Sequence, residues 1–317
     1  MIEVRDLKKH FAVKKFMKPA QSVKALDGVS FSLAPKRTLA VVGESGCGKS
    51  TLAKVLLQIE KPSGGDFSIG GKSFSQIDPK EFRKKIQMIF QDPYSSINPR
   101  KKAWQIISEP LKINEGLSNE ACRARAIELM AQEGLRAEMA DRYPHMFSGG
   151  QRQRLGIARA LALRPEILIC DEPISALDVS IQAQVINLLI DLQDQYGLSY
   201  IFISHDLSVV RHLADEVLVM YLGKAVEQGD RKAIFEKPIH PYTRALLSAT
   251  PDIHGAKSGT KQVIQGEPPS PLNPPSGCAF HKRCAYATEL CSKEIPILRE
   301  FHGRQVSCHH AEKVAST

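Results

Sequence analysis

The chain has 317 residues, of which 43% are hydrophobic and 24% are charged, and this composition excludes a disordered or fibrous protein. It contains neither an apolar run of roughly 18 residues nor an apolar N-terminal segment, so we expect a cytosolic protein without a membrane span or signal peptide. The lysines and arginines behind the net charge of +9 are scattered and lack interleaved aromatic residues, which argues against a specific nucleic-acid site.

The predicted elements alternate between strands and helices. The predicted strands are Ile2–Leu7, Val23–Leu33 with a hairpin turn at Asp27-Gly28, Thr38–Val42, Asp66–Ile69, Ile86–Phe90, Ile167–Cys170, Ser199–Ile203 and Glu216–Met220. Helices are predicted directly after the third strand and at residues 121–135, Gln151–Leu163 and Ser180–Tyr196. This order is typical of βαβ units with a mainly helical segment inserted at residues 93–144. After Pro238 the regular pattern ends, apart from a short helix in residues 240–251, and residues 266–277 form a proline-rich linker.

The loop after Thr38–Val42 has the pattern of a phosphate-binding loop. Its sequence, GESGCGKST, fits G-x-x-x-x-G-K-[ST] and lies between a predicted strand and a predicted helix, which is the context that the motif requires. The residues are Gly43, Glu44, Ser45, Gly46, Cys47, Gly48, Lys49, Ser50 and Thr51. Glycines let backbone N–H groups surround phosphate oxygens, Lys49 supplies a cation, and the Ser50 hydroxyl can bind Mg²⁺. The loop therefore predicts an ATP- or GTP-hydrolysing protein.

Polar side chains follow several predicted strands. Asp171 and Glu172 end the apolar strand that starts at Ile167, Gln91 follows Ile86–Phe90, and His205 follows Ser199–Ile203. The carboxyl ends of parallel strands collect catalytic groups at one edge of a sheet. In a protein with a phosphate-binding loop, we expect Asp171 to complete the Mg²⁺ shell and Glu172 to polarise the attacking water.

A second anion-binding pattern lies about a hundred residues after the first. Ser148, Gly149, Gly150 and Gln151 begin a predicted helix, and such a capped N-terminus offers N–H groups to an anion. One nucleotide does not need two such sites in one chain. We therefore expect this serine–glycine cap to serve the nucleotide of another subunit, in a head-to-tail pair.

With these motifs in order, the chain resembles the ABC ATPases over about residues 1–235. GESGCGKST resembles their Walker A motif, ILICDE their Walker B motif, FSGGQRQR their signature, and Ser175, Ala176, Leu177 and Asp178 their D-loop. The resemblance implies that Gln91 senses Mg²⁺ and contacts the membrane partner, and that His205 holds the γ-phosphate. It also implies an aromatic side chain that stacks on adenine, and Phe11 is the matching residue although the family usually has tyrosine there.

The flanking segments resemble the ATPases of dipeptide and oligopeptide importers. They are QDPYSSINPR from Gln91, HPYTRALL from His240 and the tail that starts with GEPPSPLNPPSG at Gly266. The resemblance to the F-type subunit implies ATP and Mg²⁺ as ligands, a D-type ATPase as heterodimer partner, two transmembrane permease subunits and a peptide-binding protein that acts indirectly. It implies a peripheral position on the cytoplasmic face of the inner membrane. Import of nickel, glutathione or another solute, a soluble regulatory or DNA-linked ABC protein, and a redox sensor remain as alternatives.

Four of the seven cysteines lie in the last forty residues of the chain. Cys278, Cys284, Cys291 and Cys308 have the spacing C-x5-C-x6-C-x16-C, without the C-x2-C pairs of zinc knuckles. In a reducing cytosol such a group favours metal binding over disulfides. Wide spacing suits an iron–sulfur cube, and the resemblance implies a [4Fe–4S] cluster here, with zinc or free thiols as the alternatives.

We therefore expect an α/β fold of the P-loop NTPase class: a RecA-like core with an antiparallel β subdomain, an inserted helical subdomain and a small C-terminal extension. The expected domains are residues 1–91 with 166–235 for the ATPase core, 92–165 for the helical signature subdomain, and 236–317 for the extension that carries the cysteines.

Overall fold

The computed structural model describes residues 1–13, 21–249 and 266–316. Its strands are β1 (Ile2–Val13), β2 (Gln21–Leu33), β3 (Thr38–Val42), β4 (Gly64–Ile69), β5 (Lys72–Ser73), β6 (Ile86–Ile89), β7 (Ile167–Asp171), β8 (Ser199–Ile203), β9 (Glu216–Tyr221), β10 (Lys224–Asp230), β11 (Arg299–Phe301) and β12 (Arg304–Val306). Its helices are α1 (Lys49–Leu56), α2 (Pro79–Lys85), α3 (Pro93–Ser96), α4 (Ala103–Glu115), α5 (Asn119–Gln132), α6 (Gly149–Leu161), α7 (Val179–Tyr196), α8 (Leu207–Leu213), α9 (Arg231–Glu236), α10 (Pro241–Ser248), α11 (Glu289–Lys293) and α12 (Ala311–Ala315).

These elements divide between two compact units. The first unit is formed by residues 1–33, 38–73 and the described part of 203–317, and it holds β1–β5, β9–β12, α1 and α8–α12. The second unit is formed by residues 34–37 and 74–202, and it holds α2–α7, β6, β7 and all of β8 except its last residue. The predicted α/β class is confirmed, with an antiparallel sheet in the first unit and a helical region in the second.

The antiparallel sheet of the first unit has the strand order β2-β1-β4-β5. Ile2, Val4 and Leu7 of β1 are buried, and Ile2 pairs with both Leu33 of β2 and Ile69 of β4. The hydrophobic faces of these strands therefore lie together, which sets their register.

The predicted hairpin turn at Asp27-Gly28 is wrong. β2 runs without interruption from Gln21 to Leu33, and the pairing with β1 skips Gly28, so that this residue forms a bulge. Gly28 has φ 92°, a left-handed conformation that serves a bulge as well as a turn. The strand continues because Leu26 and Val29 on either side are both fully buried.

The strand that carries the phosphate-binding loop lies beside β9 in the first unit. β3 and β9 are parallel, with Leu39 opposite Glu216 and Val42 opposite Val219. All five residues of β3 are buried, and each buried valine or leucine side chain contributes about 1.5–3 kcal/mol to the free energy of unfolding. The end of β3 is therefore a rigid support for the loop that follows.

The C-terminal extension joins the same run of strands. β10 pairs with β9, β12 pairs with β10, and β11 pairs with β12, all antiparallel. The sequence predicts no regular elements after residue 251, so β11, β12, α11 and α12 correct that prediction. Residues 266–277 form neither a helix nor a strand, which agrees with the prediction of a proline-rich linker.

The second unit contains a short parallel sheet and a helical region. Its strand order is β8-β7-β6, and β6 runs parallel to β7 with Ile86 opposite Ile167. α4 packs against both α5 and α6, and the buried residues Ile107, Met130 and Leu155 lie on these three helices. Gln91 follows the end of β6 by two residues, and β7 ends at Asp171 with Glu172 directly after it, so this unit positions Gln91 and the Asp171–Glu172 pair.

None of the helices in the described part of the chain combines the length and the apolar character that a bilayer span requires.

Candidate functional site

The loop after β3 holds its lysine in place through its own backbone. Lys49 is buried, and its ammonium group donates hydrogen bonds to the carbonyl oxygens of Gly43 at 2.7 Å and Glu44 at 3.1 Å. A Cβ atom on Gly43 would lie 2.2 Å from the Met220 carbonyl oxygen, so only glycine allows the loop to leave β3 this close to β9. The lysine is thus preorganised at the mouth of the loop, where a phosphate can replace backbone oxygens as its partner.

Helix α1 starts at the end of this loop. Its first residue is Lys49, and Gly48 precedes it with φ 110°, a left-handed conformation that glycine adopts without strain. Ser45, Gly46 and Ser50 are exposed, and Thr51 is half-buried. The first N–H groups of a helix can bind a phosphate, and these hydroxyls can bind the cation that accompanies it.

Cys47 lies inside the loop but faces the protein interior. Its sulfur lies 3.8 Å from the Lys49 nitrogen. Burial raises the pKa of the Cys47 thiol, and Lys49 only partly opposes this shift. Cys47 therefore acts as a neutral packing residue beneath the loop.

The second unit brings together two of the predicted site residues. The Gln91 amide donates a hydrogen bond of 2.8 Å to the Glu172 carboxylate across 81 positions of sequence. Asp171 is the last residue of β7 and is buried, and Glu172 follows with φ 46°. A left-handed conformation in a residue other than glycine costs about 1–3 kcal/mol and is concentrated at functional sites. The arrangement presents a carboxylate whose orientation is fixed by an amide, as a general base requires.

The serine–glycine cap is formed as the sequence predicts. Ser148 is the N-cap of α6: its hydroxyl accepts the Gln151 N–H at 3.3 Å, and the Gln151 side chain accepts the Ser148 N–H at 3.1 Å. This reciprocal capping box leaves Gly149 and Gly150 in the first turn of the helix, with Ser148 exposed. The helix end can therefore offer backbone N–H groups and a hydroxyl to a phosphate from outside.

The four residues of the predicted D-loop connect β7 to α7. The Ser175 hydroxyl donates to the Glu172 carbonyl oxygen at 3.0 Å, and the Leu177 N–H donates to the Ile174 oxygen at 3.1 Å. Ser175, Ala176 and Asp178 are exposed, and Asp178 directly precedes α7. The segment is thus a tight turn on the surface, tied to the backbone of Glu172.

Phe11 and His205 lie in the first unit with the phosphate-binding loop. Phe11 is on β1 opposite Val23, and the Lys9 ammonium lies 4.8 Å from its ring centre. His205 is exposed between β8 and α8. The roles of Phe11 and His205 stay predictions.

The four cysteines of the tail line one cavity, together with His240, Phe280, His281, Tyr286, His309 and His310 among others. Burial raises the pKa of the Cys278 thiol, and it raises those of Cys284 and Cys308 to about 12 and about 11. Within the described ranges, no three histidine, cysteine or acidic side chains are grouped as ligands of one metal ion. The tail histidines make other contacts: His281 lies 2.8 Å from the Cys278 oxygen, and His310 lies 2.8 Å from the Thr288 hydroxyl.

The sequence gives no indication of one contact to the phosphate-binding loop. Arg283, in the tail, forms an ion pair with Glu44, and the Tyr242 hydroxyl accepts the Glu44 N–H at 2.8 Å. The segments around Arg283 and Tyr242 are distinctive in the sequence, but Glu44 lies 239 positions from Arg283 and 198 positions from Tyr242. Periodicity and local motifs do not reveal pairs of this kind.

The chain is similar to known proteins along its length. Residues 26–175 match the family described as ABC transporter, and residues 226–291 match the one described as oligopeptide/dipeptide transporter, C-terminal region. The di/tripeptide transport ATP-binding protein DppF of Pseudomonas aeruginosa is 56% identical, over 99% of this chain and 98% of that protein. The dipeptide transport ATP-binding protein DppF of Escherichia coli is also 56% identical, over 97% of this chain and 93% of its own.

The fold has counterparts among solved structures. An ATP-binding cassette, solved as a dimer in a post-hydrolysis state bound to ADP and Pi, aligns with a TM-score of 0.64 and 27% identity. The alignment covers 73% of this chain and 99% of the cassette.

Proposed function

Since the chain belongs to the family of ABC transporter ATP-binding proteins for dipeptides and oligopeptides, we propose that it hydrolyses ATP to drive peptide import across the bacterial inner membrane. Its fold is that of the ABC ATPase cassette, an α/β P-loop NTPase. The observation that supports peptides over other solutes is the likeness to peptide-transport proteins over nearly the whole chain, including the C-terminal region. The proposed domains are those predicted from the sequence: a core, a helical subdomain and an extension.

In the proposed reaction, the loop from Gly43 to Thr51 binds the ATP phosphates and Phe11 stacks on adenine. Lys49 would neutralise charge at the β- and γ-phosphates, and Ser50, Gln91 and Asp171 are the residues proposed to hold Mg²⁺. When bound, the metal would offset negative charge on the phosphates. The hydrogen bonds of Lys49 to the Gly43 and Glu44 carbonyl oxygens already hold its ammonium group at the loop, so only its hydrogen-bond partners need to change when phosphate binds.

Glu172 is the proposed general base. It takes a proton from water as the water oxygen attacks the γ-phosphorus, and the bond from that phosphorus to the bridging oxygen breaks to give ADP and inorganic phosphate. His205 holds the γ-phosphate. The hydrogen bond from Gln91 keeps the Glu172 carboxylate oriented. Gln91 would therefore connect the residues that hold Mg²⁺ to the general base.

A second ATPase subunit completes the proposed pocket. Ser148, Gly149, Gly150 and Gln151 would bind the nucleotide held by the partner, and the D-loop would lie along the same interface. We propose a D-type subunit as this partner, with two transmembrane permeases above the pair and a peptide-binding protein that delivers the solute. This assembly would hold the chain at the cytoplasmic face of the membrane.

The cysteine cavity fits the donor set of a [4Fe–4S] cluster, which takes four thiolates. A [4Fe–4S] cluster is larger than a single metal ion and occupies the space between its four cysteine ligands. Four thiols that line a cavity therefore suit a cluster better than they suit one ion. Burial raises the pKa of the Cys278, Cys284 and Cys308 thiols, and a bound cluster would supply the positive charge that stabilises thiolate forms. Cys278, Cys284, Cys291 and Cys308 would hold it; zinc and free thiols are the alternatives.

The function is tested by uptake in bacteria that lack the chain. Cells are complemented with wild type, Glu172→Gln, or Glu166→Gln as a control, since Glu166 is exposed just before β7. We expect wild type and the control to restore uptake of a labelled dipeptide. Glu172→Gln should bind ATP but lose hydrolysis by about 10²–10⁴-fold, because it removes the base, and should restore no uptake.

Uptake of labelled nickel ions and labelled glutathione is measured in the same cells. If either solute depends on the chain and the dipeptide does not, the peptide assignment is wrong while the ATPase assignment stands. If Glu172→Gln supports hydrolysis at the wild-type rate, the assignment of the base is wrong.

A further inference from the structure

A bidentate ion pair joins the C-terminal extension to the phosphate-binding loop. The two terminal nitrogens of Arg283 donate to the two carboxylate oxygens of Glu44 at 2.8 and 3.0 Å. The arginine side chain is only 7% exposed and the glutamate 22% exposed, so this pair is partly shielded from water. Fork-to-fork pairs of this kind are among the stronger polar contacts in proteins.

Glu44 is held at its backbone as well. Its N–H donates to the Tyr242 hydroxyl at 2.8 Å, and its carbonyl oxygen accepts from Lys49 at 3.1 Å. Tyr242 is fully buried, and its ring centre lies 4.7 Å from that of Tyr221 and 5.3 Å from that of Phe280. This aromatic cluster belongs to the first unit and gives Arg283, three residues after Phe280, a rigid base.

The charge of Glu44 is unfavourable at a site for phosphates. A carboxylate beside the polyphosphate of ATP repels it, and the repulsion is larger where water is partly excluded. Arg283 neutralises this carboxylate and turns it towards the tail. Without the arginine, the loop would carry an unpaired negative charge next to its own ligand.

We propose that Arg283 is a positioning residue of the nucleotide site: it neutralises and fixes Glu44, so that the phosphate-binding loop accepts ATP. This inference rests on the proposed role of the loop from Gly43 to Thr51. The C-terminal extension is then part of the ATP site of its own chain, in addition to any role of its cysteines.

The test compares ATP and ADP dissociation constants of the full chain and its variants, with Mg²⁺ present. The variants are Arg283→Gln, Glu44→Gln, the double variant and Lys49→Ala. Arg299→Gln is the matched control, because Arg299 forms an ion pair with Glu312 within the same extension. Circular dichroism and thermal unfolding show whether each variant folds.

We expect Arg283→Gln to weaken ATP binding by about 5- to 20-fold. ADP binding should weaken less, because ADP carries less negative charge. The double variant should bind ATP within about threefold of wild type, because no unpaired carboxylate remains. Glu44→Gln should bind ATP more tightly than wild type, by up to about threefold, because the loop then lacks the unfavourable carboxylate and keeps the Arg283 charge. The control Arg299→Gln should bind ATP within about threefold of wild type.

Two results would overturn the proposal. One is wild-type ATP affinity in Arg283→Gln; the other is a double variant as weak as Arg283→Gln, which would show that the arginine only braces the tail. If Arg283→Gln does not fold, Glu44→Gln decides: a tenfold loss of ATP affinity in this variant contradicts the proposal. Wild-type ATP affinity in Lys49→Ala would instead show that the proposed nucleotide site is wrong.

Discussion

At the scale of single residues, Glu133 is a carboxyl group buried in an unusual setting. The residue is fully buried at the C-terminal end of α5, and among the described residues neither of its carboxylate oxygens has a hydrogen-bond partner. Burial raises its pKa to about 8, and Arg154 only partly opposes the shift. The carboxyl group is therefore neutral in the folded protein at the pH where an exposed glutamate is ionised.

This group makes stability depend on pH. In the unfolded chain Glu133 loses its proton near its ordinary pKa of 4.5, whereas the folded chain keeps the proton up to about pH 8. The folded state binds more protons in this range, so the free energy of unfolding falls as pH rises, by at most about 1.4 kcal/mol per pH unit. Replacing Glu133 by glutamine removes the titrating group and should flatten this part of the curve.

The measurement is denaturant unfolding of wild type and Glu133→Gln across that pH range. Glu138→Gln is the control, because Glu138 is exposed a few residues further along the chain. We expect the variant to gain stability relative to wild type as pH rises, and the control to follow wild type. A constant difference between Glu133→Gln and wild type at every pH would contradict this explanation.

At the scale of elements, the sequence predicts strands and helices that have a local hydrophobic pattern. It does not predict elements that depend on pairing with distant residues. β3, β7 and β8 are short apolar runs, and the residues after them, such as Gly43 and Glu172, follow from strand–loop–helix context. The sequence does not distinguish the bulge at Gly28 from a turn, because a glycine in the left-handed conformation occurs in both. β11 and β12 have three residues each; β12 pairs with β10 and β11 pairs with β12, and no local pattern reveals these pairings.

The same limit applies to the candidate site. The capping box at Ser148 could be predicted because Ser148 and Gln151 are three residues apart. The hydrogen bond between Gln91 and Glu172 needs the parallel pairing of β6 and β7, and the contact of Arg283 with Glu44 needs the whole extension to fold onto the loop. Motifs thus identify candidate residues, whereas tertiary structure determines which of them touch.

The prediction about iron concerns the C-terminal extension. Protein purified without oxygen should contain about four iron and four sulfide per chain and absorb visible light, because the four cysteines surround one cavity. Cys284→Ser should lose the iron, since a thiolate ligand is removed. Cys122→Ser, a buried cysteine on α5, is the control and should retain it. Zinc in place of iron, at one per chain, would contradict the cluster.

At the scale of the whole molecule, each proposed nucleotide pocket needs residues from two chains: the phosphate-binding loop of one and the serine–glycine cap of the other. The Walker A loop, Phe11 and His205 lie in one compact unit, while Gln91, Glu172 and the serine–glycine cap lie in the other. The cap is preformed and exposed, so it is available to a partner before ATP arrives. In the proposed assembly, ATP binding would favour the state in which the two subunits are closed around the nucleotide, to the extent that ATP binds this closed state more tightly than a state with the subunits apart.

The central claim, that a second molecule supplies half of the pocket, predicts separate effects on binding and turnover. Ser148→Arg leaves the chain's own loop intact, so ATP affinity of the isolated chain should stay at the wild-type value. Turnover should collapse, because the bulky cation occupies the place where the partner's γ-phosphate must reach the cap.

The decisive measurement is ATP hydrolysis per chain in a mixture with the proposed partner subunit, followed against protein concentration for wild type, Ser148→Arg and Ser118→Arg. Ser118 caps α5 by accepting the Ala121 N–H, so its variant controls for the loss of a serine helix cap, worth about 1 kcal/mol. We expect the wild-type and Ser118→Arg rates per chain to fall on dilution, and Ser148→Arg to show almost no turnover at any concentration. A rate per chain that is independent of dilution and unchanged in Ser148→Arg would contradict the account.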